Sequence, residues 1–420
     1  MSTSYAAAAQ IDPALPRAPA RPAVFRDWPT LLFVAVSIGI SLRVPQYNVE
    51  EMAAPVDYVM LILAAVLLPL ARPAALLEAI NGRAAWLVAF LVPAVAWHAL
   101  RGDWTAVNQI GLLALVYTWF TTRNFRLVKE DIYRLYGLAL IIGVGVWVAT
   151  DLNGWGMIPG TSVYAEGQWR VSFFPNIAFT AYLSIGVVLV MTMDGWEKPL
   201  RQPLFWVALY FLLLSFVRAV TLGFLIYVPL YYFLSRKKRS PAFLFWTVLL
   251  IAIGVNLLIA YSTYLFLQIQ DIPVISRFFL RGEVGLSEYE IYVQLYRPWL
   301  WGQHLSQFWS SPMLFGWGST EFQSLITNDL VAGLEQGDTV SMPTRLLAQF
   351  GWPAFFFLAF LLASLWERAR ERDTWACAAF PVIALGLMQW GTFFHPTNGI
   401  GAILMLILLR GRQAFGSIRA

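Results

Sequence analysis

Residues 203–234 read PLFWVALYFLLLSFVRAVTLGFLIYVPLYYFL, an apolar block of 32 residues that a single charge, Arg218, interrupts near its middle. One helix needs about 20 residues to cross the hydrocarbon core of a bilayer, so the block is too long for one span. Basic residues lie beyond both ends, and the positive-inside rule places such residues in the cytoplasm. The pattern predicts a membrane-crossing helical hairpin, with Arg218 at its external turn or in a buried site nearby.

The composition extends this prediction to the whole chain. Of 420 residues, 59% are hydrophobic and only 13% are charged, whereas soluble proteins carry about 25% charged residues. We therefore expect an all-α, polytopic membrane helix bundle of about 12 transmembrane helices. Long apolar runs such as 242–267 do not alternate with polar residues, which excludes an outer-membrane barrel. The amount of apolar sequence excludes a soluble enzyme with one anchor.

Apolar runs and their flanks divide the chain into five parts. We expect residues 1–27 to be a disordered cytoplasmic tail and residues 28–267 to hold nine spans, with an external loop near 151–176. A large external loop that contains short helices follows at 268–344. Three more spans occupy 345–409, and residues 410–420 form a cytoplasmic tail. The ninth and tenth spans are predicted at 243–267 and 345–366.

The basic residues support this layout. With both termini in the cytoplasm, 21 of the 29 basic residues are internal, as the positive-inside rule requires. The eight external ones are all arginines: Arg43, Arg101, Arg170, Arg218, Arg277, Arg281, Arg297 and Arg345. Arginine recognises anionic groups with a planar fork that can donate two parallel hydrogen bonds. Alternatively, an external arginine such as Arg43 or Arg101 snorkels to the interface or pairs with a loop carboxylate.

The large loop contains helix signals. Ser287-Glu-Tyr-Glu290 is a capping-box pattern, which predicts a helix start. Pro298 then kinks or restarts the helix. The segment Trp299–Trp309 is aromatic enough to lie at the membrane interface.

Two further patterns follow from this segment. If helical geometry persists across Pro298, Arg297, Trp301, His304 and Phe308 share one face. His304 is then either a proton acceptor near a fixed cation or an interfacial side chain. Residues 311–318 (SPMLFGWG) predict a turn, because glycines flanking a tryptophan allow positive φ and close backbone approach.

The sequence lacks the residues that several kinds of binding site require. Three histidines and one cysteine are too few and too dispersed for a zinc site, so we expect no metal. No nucleotide-binding motif is present, and we expect no cofactor. The basic tails are typical of membrane flanks and not of a nucleic-acid surface.

Four pieces of sequence, in order, resemble the O-antigen ligase and Wzy-type polysaccharide polymerase superfamily of bacterial inner-membrane proteins. Residues 169–181 (WRVSFFPNIAFTA) are similar to its Arg and Pro-Asn leading into a span. Residues 215–218 (SFVR) resemble its Ser-Arg external turn. Residues 297–301 (RPWLW), followed by 311–318, are similar to its Arg, Trp, then Pro-Leu-x-Gly-x-Gly. Residues 346–351 (LLAQFG) resemble its Leu-rich, Gly-terminated helix start after the large loop.

The resemblance implies a polymerase that transfers an undecaprenyl-diphosphate-linked glycan to a sugar hydroxyl of another lipid-linked repeat unit on the periplasmic face of the inner membrane. No metal or nucleotide is required. Membrane lipid, flippase and chain-length regulator proteins are the implied partners. The diphosphate would be bound by arginines, and sugar faces could stack on Trp301. The implied substrate-binding residues are Arg170, Arg218, Arg297, Arg345, Trp301 and His395. The candidate bases, which the sequence does not choose between, are His304, Glu321, Glu335 and Asp338.

One departure from the family pattern distinguishes its branches. Ligases carry a His-Asn pair where this sequence has Val340-Ser341. Its absence favours a polymerase over a ligase that moves finished polymer to a lipid or protein acceptor. A flippase or transporter of lipid-linked oligosaccharide is the non-enzyme alternative, and the long external loop argues against it.

Overall fold

The fold was analysed in a computed structural model that describes residues 27–43, 62–63, 66–67, 82–121, 127–149, 172–173, 177–215, 217–273, 285–288, 290–291, 297–318, 341–389 and 399–416. It is 84% helical, which confirms the all-α class. The α-helices are α1 (Trp28–Arg43), α2 (Ala85–Leu100), α3 (Trp104–Thr121), α4 (Lys129–Ala149), α5 (Ile177–Thr192), α6 (Pro203–Leu214), α7 (Arg218–Ser235), α8 (Pro241–Ala260), α9 (Ser262–Ile269), α10 (Arg297–Ser310), α11 (Met342–Phe350), α12 (Ala354–Arg370), α13 (Thr374–Gln389) and α14 (Gly399–Arg410). Short 3₁₀ turns occupy Gly82–Ala84, Pro199–Arg201, Pro312–Leu314 and Gly411–Ala414. Two short strands, β1 (Leu127–Val128) and β2 (Phe415–Gly416), pair in parallel.

Three helical segments in the described part of the chain are long and apolar enough to cross a membrane, which indicates membrane association. They are Gly82–Leu100, α7 and α8. Shorter apolar helices include α5 and α13, each of 16 residues. A helix of that length extends about 24 Å, less than the roughly 30 Å hydrocarbon core. The expected number of about 12 transmembrane helices is therefore not confirmed.

The hairpin predicted from residues 203–234 is present as two helices. α6 ends at Leu214, and α7 begins at Arg218 after extended backbone at Val217. Gly223 lets α7 approach α13 closely, since an added Cβ would lie 3.3 Å from the Cα of Val382. Arg218 is thus the first residue of a helix that packs along α13.

Two apolar runs that the sequence predicted as single spans are divided. The run 243–267 breaks at Tyr261, between α8 and α9. The run 345–366 breaks between α11 and α12, because Gly351 has φ +71° and ψ −154°, which no other residue type adopts easily. Arg345 therefore lies on a separate nine-residue helix and does not open a span.

The bundle has a fully enclosed centre and an apolar exterior. All residues of α5 except Ala178 are buried, and α13 is buried almost throughout. α8 instead carries an exposed apolar stripe, with Trp246 56%, Leu250 62% and Leu257 52% exposed. An apolar stripe of this extent is unfavourable in water and favourable against lipid, so α8 lies at the periphery.

One end of the bundle is held by charged contacts, and we call it the ion-pair end, defined by Arg83, Asp194, Arg368, Asp373 and Arg412. Arg83 binds Glu367, and Lys129 binds Asp194. Arg412 pairs with Asp373 at 3.4 Å. These contacts join the turn before α2, the first residue of α4, the segment after α5, the end of α12, the segment between α12 and α13, and the segment after α14.

Arg368 lies at the centre of the ion-pair end and is only 1% exposed. Its Nη1 donates to Glu371 Oε2 at 2.5 Å and to the Arg410 carbonyl at 2.7 Å. The parallel strands pair Leu127 with Phe415 beside it. The N-terminal ends of α2 and α13 and the C-terminal end of α12 lie at the ion-pair end, next to Arg83, Asp373 and Arg368. The opposite ends of these three helices define the other end of the bundle.

Candidate functional site

α10 is the central element of the opposite end. It begins at Arg297, so Pro298 occupies its first turn, where a missing N–H costs nothing, in agreement with a helix that restarts at the proline. Trp301, His304 and Phe308 are buried along one face, which confirms the predicted shared face. Arg297 is exposed at the beginning of the helix. The helix thus presents a cation at its start and an aromatic face to the bundle.

The predicted turn at residues 311–318 is confirmed and packs directly on the end of α11. Gly316 and Gly318 have φ +80° and +79°. A Cβ on Gly316 would overlap the Gln349 carbonyl, and a Cβ on Gly351 would overlap that of Leu314. Trp317 N–H donates to the Ala348 carbonyl at 2.9 Å. Close backbone contact therefore fixes α11 against the turn that follows α10.

The predicted capping box is also present before α10. Glu290 Oε2 accepts from Ser287 N at 2.8 Å and from Ser287 Oγ at 2.7 Å. Glu290 N in turn donates to Ser287 Oγ at 3.3 Å. The hydrogen bonds from the Ser287 side chain and backbone lower the pKa of Glu290. The helical turn at residues 288 and 290–291 begins where the sequence predicted.

Arg297 reaches α13. Its Nη1 donates to Gln389 Oε1 at 2.8 Å, across 92 residues of sequence. One turn further along α10, Trp301 packs with Ala348 of α11 and Met388 of α13. Three helices therefore meet around Arg297, and the acceptor that holds its guanidinium is a neutral amide.

Arg345 has a similar partner on its own helix. Its Nε donates to Gln349 Oε1 at 3.1 Å, one turn away on α11. We call this end of the bundle the amide end, defined by Arg297, Trp301, Arg345, Gln349 and Gln389. In each of these two hydrogen bonds a glutamine side-chain oxygen accepts from an arginine.

His304 lies beside this cluster and is completely buried. Its Nδ1 is 3.0 Å from Thr344 Oγ1. Burial, reinforced by the positive charge of Arg345, lowers the pKa of His304 to about 3. His304 is therefore neutral at physiological pH, and a negative charge placed near Arg345 would raise its pKa.

The amide end contains buried donors that no described residue satisfies. They are Trp301 Nε1, Gln349 Nε2 and Gln389 Nε2. A buried N–H group without an acceptor costs about 1–3 kcal/mol. One buried acceptor, Gln307 Oε1, is in the same state two turns further along α10. Arginines and unsatisfied N–H groups at one end of the bundle make it suited to an oxygen-rich anion.

Helix register places the start of α7 at this end too. Gly223 of α7 packs on Val382, in the middle of α13. One turn later, Tyr227 OH shares a hydrogen bond with Thr192 of α5, close to where Trp375 at the beginning of α13 donates to Leu189 of α5. α7 therefore runs antiparallel to α13. Arg218 precedes Gly223 by about 7.5 Å of helix, and Gln389 lies about 10.5 Å beyond Val382. Arg218 is partly buried at the level of the amide end.

The structure thus brings Arg297, Trp301, His304 and Arg345 together, with Arg218 at the same level. The remaining predicted site residues lie outside the described residues: Arg170, Glu321, Glu335, Asp338 and His395. The described residues nearest to Arg170 in the sequence are Ser172 and Phe173. Both are tied to Thr180 of α5, by Ser172 Oγ at 2.6 Å and Phe173 N at 3.1 Å.

Four residues of this end were not singled out from the sequence. Gln349 follows Arg345 by one helical turn, a spacing that could have indicated the contact. Thr344 and Gln389 carry no local pattern. Asp103 caps α3 through the Ala106 N–H at 3.0 Å, and a Cβ on Gly318 would overlap its other oxygen. A side chain from a distant loop thereby fixes the end of the 311–318 turn.

Among the described ranges, no group of three or more histidine, cysteine or acidic residues could hold a metal ion. Comparison with known proteins matches no family model and finds no significantly similar curated sequence.

Proposed function

We propose that this protein is a polysaccharide polymerase of the bacterial inner membrane, with both termini in the cytoplasm and the amide end in the periplasm. It transfers an undecaprenyl-diphosphate-linked glycan to a sugar hydroxyl of a second lipid-linked repeat unit. The observation that carries the proposal is the cluster at the amide end, where Arg297 is held by a neutral glutamine beside buried, unsatisfied N–H donors. Such a cluster is suited to the oxygens of a diphosphate.

The proposed orientation is supported by the charge distribution. Segments predicted to be internal, which contain Arg83, Lys129, Arg368 and Arg412, meet at the ion-pair end. Segments predicted to be external, which contain Arg297 and Arg345, meet at the amide end. The positive-inside rule assigns these basic residues to two sides of the membrane, and the contacts group them in the same way.

In the proposed reaction the bond between the donor sugar C1 and the diphosphate oxygen breaks. The acceptor hydroxyl oxygen forms the new bond to C1, and its proton passes to a general base. Undecaprenyl diphosphate leaves with the electron pair, and Arg218, Arg297 and Arg345 stabilise its developing negative charge. The base is one of His304, Glu321, Glu335 and Asp338. Diphosphate near Arg345 would raise the pKa of His304 and make it a better proton acceptor.

Reconstitution tests the proposal. The purified protein in detergent, without a membrane gradient, should lengthen a lipid-linked oligosaccharide. Arg297→Ala and Arg218→Ala should each slow elongation by about 100-fold, the typical loss of one charge-stabilising donor. Arg297→Lys should recover little activity, because lysine lacks the bidentate fork.

Arg236→Ala is the matched control. Arg236 is exposed just after the other end of α7, so its loss should leave elongation unchanged. Wild-type polymer lengths in both Arg218→Ala and Arg297→Ala at normal protein levels would contradict diphosphate binding. In cells, a null mutant that accumulates single lipid-linked repeat units supports the polymerase. Full-length polymer left on the lipid instead indicates a ligase.

A further inference from the structure

Gln389 is distinctive because its side-chain oxygen and its side-chain nitrogen are both placed at the amide end. A guanidinium only donates hydrogen bonds, so the oxygen Oε1 must face Arg297. The nitrogen Nε2 is then directed elsewhere, and it is buried without a hydrogen bond to any described residue. Gln389 is only 8% exposed, so bulk water does not satisfy this donor.

Shape alone does not require glutamine as the partner of Arg297. Glutamate has nearly the same volume as glutamine and would form a stronger, charge-assisted bond to the guanidinium. At the ion-pair end the chain does use acidic partners, as Arg368 with Glu371 and Arg412 with Asp373. Glutamine at position 389 instead orients the guanidinium while leaving its positive charge available. It also adds a second N–H donor to the same place.

We propose that Gln389 is a binding residue for a diphosphate oxyanion, acting together with Arg297. Its Oε1 fixes the guanidinium, and its Nε2 donates to an oxygen of the bound anion. The proposal deepens the function proposed above and rests on it for the identity of the diphosphate as a lipid headgroup. Gln349, whose Nε2 is also buried without a described acceptor while its Oε1 holds Arg345, is a second residue of the same type.

Three variants of the full chain separate charge from hydrogen bonding. Gln389→Glu keeps the shape but neutralises Arg297 and removes the donor. Gln389→Met keeps the volume and the arginine charge, and removes only the hydrogen bonds. Gln303→Glu adds the same negative charge on α10 at a partly exposed position. It controls for a general electrostatic effect.

The readout is stabilisation of the purified protein in detergent by two probes, inorganic pyrophosphate and undecaprenyl diphosphate. We expect Gln389→Glu to weaken binding by about 100-fold or more, and Gln389→Met by about tenfold. Gln303→Glu should change it less than threefold. A stabilising effect of the lipid alone assigns the site to the headgroup in its membrane setting, and an effect of both probes assigns it to the diphosphate itself.

Elongation assays on the same samples separate this inference from the proposed function. If wild type elongates and Gln389→Glu and Gln389→Met bind and elongate like wild type, the inference is overturned and the polymerase stands. If wild type binds diphosphate in a Gln389-dependent way without elongating, the polymerase fails and the binding residue stands. Failure of wild type to bind either probe would overturn the inference directly. Gln389→Met keeps the test valid should Gln389→Glu fail to fold.

Discussion

The two ends of the bundle use arginine in opposite ways. At the ion-pair end, Arg368 is buried and bonded to a carboxylate and a backbone carbonyl. At the amide end, Arg297 is exposed and bonded to the neutral oxygen of Gln389. A charge neutralised by its neighbours contributes to the fold, whereas a charge held by an amide remains available to a ligand. The partner of an arginine, more than its burial, therefore indicates its role.

The two ends also differ in how they hold the backbone. At the amide end the turn at 311–318 meets Gly351 backbone to backbone, and at the ion-pair end Gly411 faces the side chain of Asp373. Backbone cannot move aside as a side chain can. We therefore expect the amide end to be rigid around its arginines and the ion-pair end to adapt.

Alanine substitutions at these glycines give the largest expected effect. Gly351→Ala should cost about 4 kcal/mol, because it combines a Gly-only φ/ψ region with overlap against the Leu314 carbonyl. Gly411→Ala should cost about 2 kcal/mol, because φ +55° is strained for alanine but Asp373 can shift. Unfolding in detergent by SDS, followed by circular dichroism, measures both. Equal losses would remove the distinction between rigid and adaptable ends.

The second largest expected change in the free energy of unfolding comes from replacing one arginine at each end of the bundle. Arg368→Met should destabilise the protein by about 3 kcal/mol, because Glu371 and the Arg410 carbonyl lose a buried partner; the partial exposure of Glu371 keeps the loss from being larger. Arg297→Met should cost only about 1 kcal/mol, since it strips a partner from Gln389 Oε1 alone.

Activity should reverse this order. Arg297→Met should lose elongation while Arg368→Met, at temperatures where it is folded, keeps it. SDS titration and the elongation assay, carried out on the same preparation of each variant, test whether the order of activity loss is the reverse of the order of stability loss. A larger stability loss for Arg297→Met would mean that the amide end is structural.

The pH dependence of stability gives the smallest expected effect. His304 has a pKa of about 3 in the folded protein, against 6.5 when unfolded, because of burial and the charge of Arg345. As pH falls below 6.5 the unfolded chain binds a proton that the folded chain does not, so stability falls. At pH 5 the loss is about 2 kcal/mol relative to pH 7.5.

His304→Gln is the control, because it cannot titrate. Its stability should fall by about 2 kcal/mol less than that of wild type between pH 7.5 and 5, measured by thermal unfolding in detergent. Parallel pH profiles for the two proteins would show that His304 is protonated in the folded state.

The elements that local sequence controls were predicted well. Ser287 and Glu290 lie three residues apart, and Gly316 and Gly318 can adopt the positive φ of the 311–318 turn through their own conformational freedom. Trp301, His304 and Phe308 share a face because helical spacing alone brings them together. The hairpin around Arg218 likewise follows from the length of one apolar block and the charge within it.

Contacts between distant segments could not be predicted in this way. Gln389 lies 92 residues from Arg297, and nothing in either neighbourhood specifies the other. The run 345–366 was predicted as one span because hydropathy continues through Gly351, whereas backbone conformation interrupts the helix there. Apolar character also fails to separate the enclosed α5 from the peripheral α8, because both are apolar on every face.

The pairing of Leu127 with Phe415 imposes an order on biosynthesis. The segment that leads into α4 is made early, but its strand partner leaves the ribosome nearly 290 residues later, roughly 15–60 s at ordinary translation rates. The Arg410 carbonyl that receives Arg368 is made in the same last stretch. Until then the hydrogen bond from Arg368 to the Arg410 carbonyl cannot form. The ion-pair end can therefore close only after the last stretch of the described chain has been synthesised.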